Sequence, residues 1–73
     1  MEYYLIHLYG CIEPHEIGPF GTEEERDKAA FNLHNGSDDF DPEEDAVIWA
    51  DVDQRGKLTV GAYSAAFFEQ EEL

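Results

Sequence analysis

The side chains of this sequence best suited to chemistry are one cysteine, three histidines and a large excess of carboxylates. Cys11 and His7 could meet around the end of the first strand, and a thiol beside an imidazole is the start of a nucleophilic site. Such a site also needs an orienting group and an oxyanion hole, and the surrounding residues indicate neither. We therefore expect Cys11 to be a small structural thiol, and we expect no enzymatic activity.

The three histidines, His7, His15 and His34, are separated by eight and nineteen residues. Zinc sites in chains of this size usually contain short paired spacings of Cys or His, which this sequence lacks. We expect a strand, a loop and a helix end to hold the three side chains separately. The histidines therefore predict no metal site.

One segment partly resembles a calcium-binding EF-hand loop, with Asp51 and Asp53 at its first and third positions and Gly56 at its sixth. Arg55 takes the place of a ligand, and Ala62 stands where a bidentate glutamate should close the site. We interpret the segment as a hairpin turn, and we predict neither a metal nor another cofactor. A small metal-responsive protein that uses the Asp51–Asp53 turn remains an alternative.

The carboxylates dominate the composition: 18 of 73 residues are Asp or Glu and only four are Lys or Arg, giving a formal net charge of −14. This balance argues against direct binding to nucleic acid or to anionic lipid, because both need a basic face. The sequence has no long apolar run and no basic start of a signal peptide, and it has a single cysteine. These features favour the cytoplasm, which is the host's cytoplasm if a phage encodes the chain.

The elements that must position these groups are predicted from turn residues, capping residues and alternation. Thr22 and Glu25 form a capping-box pattern, and Asn35-Gly36 supplies a left-handed helix stop. The chain is predicted to be one domain over residues 1–73, with a strand over 3–9, a loop over 10–21, a helix over 22–34, an acidic loop over 35–45, a hairpin over 46–63 and a C-terminal segment over 64–73. The fold class is α+β with the order β-α-β-β, in which one helix covers one face of a three-stranded, mainly antiparallel sheet.

Two patterns predict which faces are buried. At 100° per residue, Arg26, Ala29, Ala30 and Leu33 share the helix stripe that packs on the sheet, with the Arg26 head group reaching water. In the second hairpin strand, apolar residues alternate with polar ones, which predicts a single wet, polar face. These residues are Leu58, Val60 and Ala62 on one side and Lys57, Thr59 and Gly61 on the other.

The acidic residues are expected to collect on the helix face away from the sheet and on the loop that follows it. Phe31 and Phe40 lie within this acidic stretch, and an aromatic ringed by charge is the usual composition of a binding hot spot. The alternative is that Phe40 folds back over Phe31 to form a small private core. The predicted partner-binding residues are Glu23, Glu24, Asp27, Phe31, Asp38, Asp39, Phe40, Asp41, Glu43, Glu44 and Asp45.

By its size, its acidity, its compact α/β body and its single cysteine, the chain resembles the small acidic DNA-mimic proteins of phages and mobile elements. That group includes anti-CRISPR and anti-restriction inhibitors. The resemblance implies a non-enzymatic inhibitor whose carboxylates occupy the basic DNA- or RNA-binding surface of a host defence or DNA-processing complex, such as a Cas effector. Nucleic acid would then be excluded by competition.

A different explanation of the acidity is adaptation to molar salt. An acid excess with few lysines would then belong to a housekeeping module of a halophile or a phage. Solubility alone needs a net charge of only about 2–8 in magnitude for a small domain, which favours a further role for the charge.

Overall fold

Four strands and two helices make up the fold of this chain, which a computed structural model describes at residues 1–9, 12–36, 38, 40–41 and 43–71. The elements in chain order are β1 (Glu2–Tyr9), β2 (Ile12–Phe20), α1 (Glu23–Gly36), β3 (Ala46–Val52), β4 (Leu58–Ala62) and α2 (Ala65–Phe68). The fold is α+β, as the sequence predicts. No helix in the described ranges is long and apolar enough to cross a membrane.

The strands form one antiparallel sheet in the order β2-β1-β3-β4. The expected count of three strands is wrong, because β2 occupies most of the predicted loop over 10–21. Its prolines, Pro14 and Pro19, suggested a loop, but an edge strand tolerates residues that cannot donate a ladder hydrogen bond. The β1–β2 register shifts at two places, between Tyr3 and Leu5 and between His7 and Tyr9. Such irregularities accommodate a strand that pairs on one side only.

Helix α1 begins where its cap predicts. The Thr22 hydroxyl accepts a hydrogen bond from the Glu25 amide at 3.1 Å, and the Glu25 carboxylate accepts one from the Gly21 amide at 3.2 Å. The predicted end is wrong by two residues, because Gly36 is still helical and does not have the positive φ of a left-handed stop. Favourable capping at the N-terminus thus fixes the start of the helix more sharply than glycine fixes its end.

The core lies between α1 and the sheet. Leu5 and Ala30 are fully buried at its centre, and the predicted stripe of α1 faces the strands. Helix α2, which the sequence did not predict, lies beside α1: the Asn35 side-chain amide donates to the Phe68 carbonyl at 2.9 Å, and Phe67 packs edge-on against Phe31. Its length is four residues, too short for a periodic pattern.

The β3–β4 hairpin turns as predicted, with Gly56 at φ +82° and the Asp53 carboxylate accepting the amides of Arg55 and Lys57. The predicted faces of β4 are reversed. Gly61 lies on the helix side under the Trp49 indole, where an added Cβ would stand 2.3 Å from a ring carbon. Leu58 and Val60 therefore point to the opposite side.

That opposite side is not covered by either helix, and we call it the open sheet face. Leu58 is 59% exposed and Val60 is 56% exposed. The alternation of β4 gave the correct period, but a period of two identifies two faces without saying which one a helix will cover. The open sheet face is formed mainly by Tyr4, Ile6, Ile48, Val52, Leu58 and Val60.

Candidate interaction surface

The first group of candidate residues surrounds the start of α1, and we call it the N-terminal acidic cluster: Glu23, Glu24 and Glu25. All three side chains are exposed. Glu25 completes the helix cap, whereas Glu23 and Glu24 make no hydrogen bond or ion pair with the described residues. Negative charge at this position is favoured by the helix dipole, so the fold holds these carboxylates at little cost despite their proximity.

Asp27 continues the same helix but is committed to an internal network. Its carboxylate accepts hydrogen bonds from the Arg26 guanidinium at 2.9 and 3.0 Å and from the Tyr63 hydroxyl at 2.8 Å. The side chain is 30% exposed. Asp27 therefore helps to join α1 to the end of β4. The Arg26 guanidinium already neutralises the negative charge of its carboxylate.

Arg26 lies at the centre of this network, and the expectation that its head group reaches water is wrong. Nη1 donates to both Asp51 carboxylate oxygens at 2.6 Å, and the guanidinium carbon lies 5.1 Å from the Trp49 ring centroid and 5.6 Å from that of Tyr3. The residue is only 7% exposed. Burial would lower the pKa of Arg26, but the hydrogen bonds that its guanidinium donates to Asp51 and Asp27 outweigh this effect and raise the pKa.

The network also affects Tyr63. Burial raises the pKa of the Tyr63 phenol, and the hydrogen bond that it donates to Asp27 raises it further. Arg26 opposes this effect as a neighbouring positive charge. The phenol is therefore held in its protonated form as a donor, which suits a structural link between the helix and the sheet.

The second group lies in the segment between α1 and β3, and we call it the loop acidic cluster: Asp38, Asp41, Glu43 and Glu44. All four residues are exposed. The Asp41 carboxylate accepts the Glu43 amide at 3.0 Å, so it also shapes the turn. Asp39, another predicted contact residue, lies outside the described residues.

Asp45 and Phe40 lie in the same segment but point inward. The Asp45 carboxylate is 3.1 Å from Nε2 of His7, and its side chain is 10% exposed beside a histidine that is 1% exposed. Phe40 is 6% exposed, and its ring lies 5.1 Å from that of His7 and 4.9 Å from that of His34. Both residues anchor the loop, and their burial gives no support to the prediction that they contact a partner.

Phe31 is half-buried on the side of α1, with its ring 6.1 Å from that of Phe67. It is not free for a partner in the way that the sequence suggested, because α2 packs beside it. The alternative in which Phe40 covers Phe31 is also wrong, since the two rings have different neighbours. Packing against the unpredicted α2 explains why an aromatic residue stands on the outer side of the helix.

The two acidic clusters lie at opposite ends of α1 and do not form one continuous surface. The start of the helix lies near Asp51, while its end lies near Phe40 and, through it, His7. A helix of 14 residues is about 20 Å long. The clusters are therefore separated by about the length over which one strand of duplex DNA presents six phosphates.

The strands carry carboxylates on both faces of the sheet. The register places Glu2 and Glu16 on the open sheet face and Asp51 on the helix side, and Glu13 lies at the register shift opposite Leu8. Tyr4 donates its hydroxyl hydrogen bond to Glu2, which raises the pKa of Tyr4. The open sheet face thus combines exposed apolar side chains with carboxylates at its β1 and β2 positions.

The turn that resembles an EF-hand loop has its acidic side chains occupied. Asp51 binds Arg26, and Asp53 accepts two backbone amides of the turn. Among the residues that the structure describes, no three His, Cys, Asp or Glu side chains come together in a way that could hold a metal ion. The geometry offers no support for the metal-responsive alternative.

The sequence analysis did not identify two pairs of residues that hold elements of the fold together. These are the Arg26–Asp51 pair, which links α1 to β3, and the His7–Asp45 pair, which links β1 to the loop before β3. A signal existed for the first pair: an arginine on an apolar helix stripe needs a buried acid, and Asp51 stands on an otherwise apolar strand.

Comparison with known proteins identifies no relative of this chain. No protein-family description, no curated protein and no solved structure matches this chain.

Proposed function

We propose that this protein is a non-enzymatic binding protein that engages the basic, nucleic-acid-binding surface of another protein and excludes nucleic acid from it. The observation that carries the proposal is the pair of exposed acidic clusters at the two ends of α1. The partner class that the resemblance to DNA mimics implies is a host defence or DNA-processing complex, including Cas effectors.

Charge density supports this proposal over a simple role in solubility. The accessible surface is 5196 Å², which averages about 370 Å² for each unit of the net charge of −14. Duplex DNA, treated as a smooth cylinder, carries on the order of one charge per 100 Å². The average charge density of the protein surface is therefore within a factor of about four of that of duplex DNA.

The spacing of the clusters supports a two-point contact. Glu23 and Glu24 at one end of α1, and Glu43 and Glu44 at the other, are held by a capped helix and by a loop anchored through Phe40. A rigid separation of about 20 Å restricts the basic surfaces that can meet both clusters at once. Electrostatic complementarity of this kind mainly increases the association rate and the specificity.

The test begins with capture of partners from nuclease-treated host lysate at low salt, followed by elution with a salt gradient. Each captured protein is then purified and bound to a fluorescent nucleic acid, and the chain is added. We expect displacement of the nucleic acid, with an affinity that falls steeply as salt rises, because exposed charges are screened over about 8 Å at physiological ionic strength. Captured proteins that lack a basic nucleic-acid-binding surface, or that keep their nucleic acid at saturating chain, would contradict the proposal.

Matched charge reversals locate the contact. The variant E43K/E44K changes the loop acidic cluster, and E69K/E71K makes the same change of charge at exposed C-terminal acids. We expect the first to weaken binding at low salt by about tenfold more than the second, which corresponds to about 1.4 kcal/mol. Equal losses would mean that diffuse net charge, rather than this surface, produces the binding.

A further inference from the structure

We infer that the outer edge of β4 is a strand-addition site, where an extended segment of another protein pairs with β4 as a fifth strand of the sheet. The segment that fits this edge alternates apolar and basic residues. The inference does not rest on the proposed function, because it concerns a main-chain contact and the segment need not come from a nucleic-acid-binding protein. It comes from the difference between the two edge strands, β2 and β4.

The β2 edge carries the features that prevent strand addition. Pro14 and Pro19 have no amide hydrogen to donate, Glu13 and Glu16 place charge along the strand, and the register with β1 shifts twice. Proline, charge and irregular register are the means by which folded proteins keep an edge strand from pairing with another chain. β2 is therefore a protected edge.

The β4 edge has none of these features. Its five residues, Leu58–Ala62, include no proline and no charged side chain, and they pair with β3 without a register shift. Four of the five residues are exposed, and among the described elements only β3 lies against this strand. An unprotected edge of this kind is a template for a further strand.

The hydrogen bonds of the hairpin show which main-chain groups of β4 point outward. The Asp53 amide donates to the Lys57 carbonyl at 3.0 Å, so these two residues form a hydrogen-bonded pair. Hydrogen-bonded and non-hydrogen-bonded pairs alternate along an antiparallel ladder, which makes Thr59 and Gly61 the residues of β4 that bond to β3. The residues whose amides and carbonyls point away from the sheet are Leu58, Val60 and Ala62.

The open sheet face favours apolar residues at alternate positions of the added strand. Side chains of a strand alternate between the two faces of its sheet. On the open sheet face they would lie next to Leu58 and Val60, which border a groove of about 420 Å³ and are both more than half exposed. Apolar side chains at these positions would remove further apolar surface from water.

The helix side favours basic residues at the other positions. A cavity of about 300 Å³ lies there beside β4, and its lining includes Glu23, Asp51, Asp53 and Lys57. Asp51 is neutralised by Arg26, which leaves the carboxylates of Glu23 and Asp53 against the single ammonium group of Lys57. A lysine or arginine side chain from the added strand would restore the balance of charge in this cavity.

The net charge selects a basic segment over a second copy of the chain. A charge of −14 attracts a cationic segment at long range and repels another copy. Pairing β4 with β4 of a second copy would place two strongly acidic bodies side by side in one continuous sheet. The occupant that the charge favours is therefore a basic segment of a different protein.

The probe is a synthetic peptide with blocked ends that alternates valine and lysine over about eight residues, enough to span β4. Amide hydrogen exchange, followed by NMR at low salt, reports the pairing. In the free chain we expect fast exchange at Leu58, Val60 and Ala62 and slow exchange at Thr59 and Gly61. Saturating peptide should slow exchange at the first three amides at least tenfold. Failure of the peptide to bind, or unchanged exchange at those amides when it is bound, would overturn the inference.

Two methylated peptides separate strand addition from simple charge attraction. One carries methyl groups on the valine amide nitrogens and the other carries them on the lysine amide nitrogens, so the two have the same charge and the same number of methyl groups. Only one set of amides can face β4, because alternate amides of a strand point in opposite directions. We expect one peptide to bind at least tenfold more weakly than the other, and equal binding would overturn the inference.

Variants of the protein test the same edge. Val60→Pro removes an outward amide without taking a hydrogen bond from the β3–β4 ladder, whereas Val60→Thr keeps that amide. We expect Val60→Pro to weaken peptide binding at least tenfold and Val60→Thr to change it less than threefold. If circular dichroism shows that Val60→Pro is unfolded, the methylated peptides and the wild-type chain decide the question.

The choice of occupant is tested without any peptide and with a change of its charge. Protection of the same three amides that increases with protein concentration alone would show that β4 pairs with a second copy, which would overturn the choice of a basic segment. A peptide that alternates valine and glutamate should bind at least tenfold more weakly than the lysine peptide at low salt, because the chain carries −14. Equal binding of the two peptides would also overturn that choice.

Discussion

The two sides of the sheet differ in both charge and packing. The helix side carries the exposed acidic clusters, and beneath them lie the core, the Arg26–Asp51 ion pair and the His7–Asp45 contact. The other side carries exposed apolar residues together with Glu2 and Glu16. The comparison teaches that the helices bury the polar pairs and the core on one side of the sheet, whereas the apolar residues of the other side stay exposed.

The largest expected effect comes from breaking the ion pair that links α1 to the sheet. Arg26→Ala leaves the Asp51 side chain, which is 13% exposed, without its guanidinium partner. Losing one member of a buried pair costs about 3–5 kcal/mol, a large share of the stability of a domain of this size. Urea unfolding followed by circular dichroism should show a partly or wholly unfolded chain at 25 °C.

The control for Arg26→Ala is Lys28→Ala, which removes a cation of the same helix from an exposed position. We expect that variant to unfold within about 0.5 kcal/mol of the wild type, as is usual for surface substitutions. If both variants lost the same stability, the effect would come from net charge and not from the buried pair.

A smaller effect is expected where β4 meets the helix side. Gly61→Ala places a methyl group against the Trp49 indole, at 2.3 Å from the nearest ring carbon without relaxation. Overpacking of this kind typically costs about 1–3 kcal/mol. Gly36→Ala is the matched control, since no atom lies within 4 Å of an added Cβ there, and denaturant unfolding of the two variants measures the difference.

The ionisation of the Tyr63 phenol tests the same helix-to-sheet contact through the pH dependence of the free energy of unfolding. Its pKa is raised in the folded protein, so its contribution to stability is fully present below the unfolded value near 10 and is lost as the pH rises above it. The free energy of unfolding should therefore begin to fall as the pH passes about 10 and keep falling up to the raised pKa of the folded protein. The decline should be shallower in Tyr63→Phe; an equal decline in both proteins would assign the effect to the other tyrosines.

The smallest expected effect is on the open sheet face. Val60→Thr changes an exposed residue, so the stability of the dilute monomer should change by less than about 0.5 kcal/mol. Thermal unfolding at low protein concentration measures this difference. A loss of several kcal/mol would show that the open sheet face is already buried under those conditions.

The features of the fold that depend on neighbouring residues could be predicted from the sequence. The capping pair Thr22 and Glu25, the turn at Gly56 and the buried stripe around Ala30 all follow from spacing within one element. The strand β2 could not, because Pro14 and Pro19 are loop signals unless the strand is known to lie at an edge.

The sequence could predict which residue types form the candidate site, but it could not predict how the fold arranges them. That Glu23 and Glu43 are exposed follows from their residue type, but their placement at opposite ends of α1 depends on how the loop is anchored. The inward turn of Phe40 and Asp45 depends on His7, which is more than 30 residues away in the sequence. Contacts at that separation have no local signature, so they required the structure.

The position of Trp49 has a practical consequence. It is the single tryptophan of the chain, and its indole lies between the Gly61 backbone and the Arg26 guanidinium. Its intrinsic fluorescence therefore comes from one place, the junction of the helix with the last two strands. Detachment of the helix would change the wavelength and intensity of that emission without any added label, so a single optical signal can follow the integrity of this junction in every variant described above.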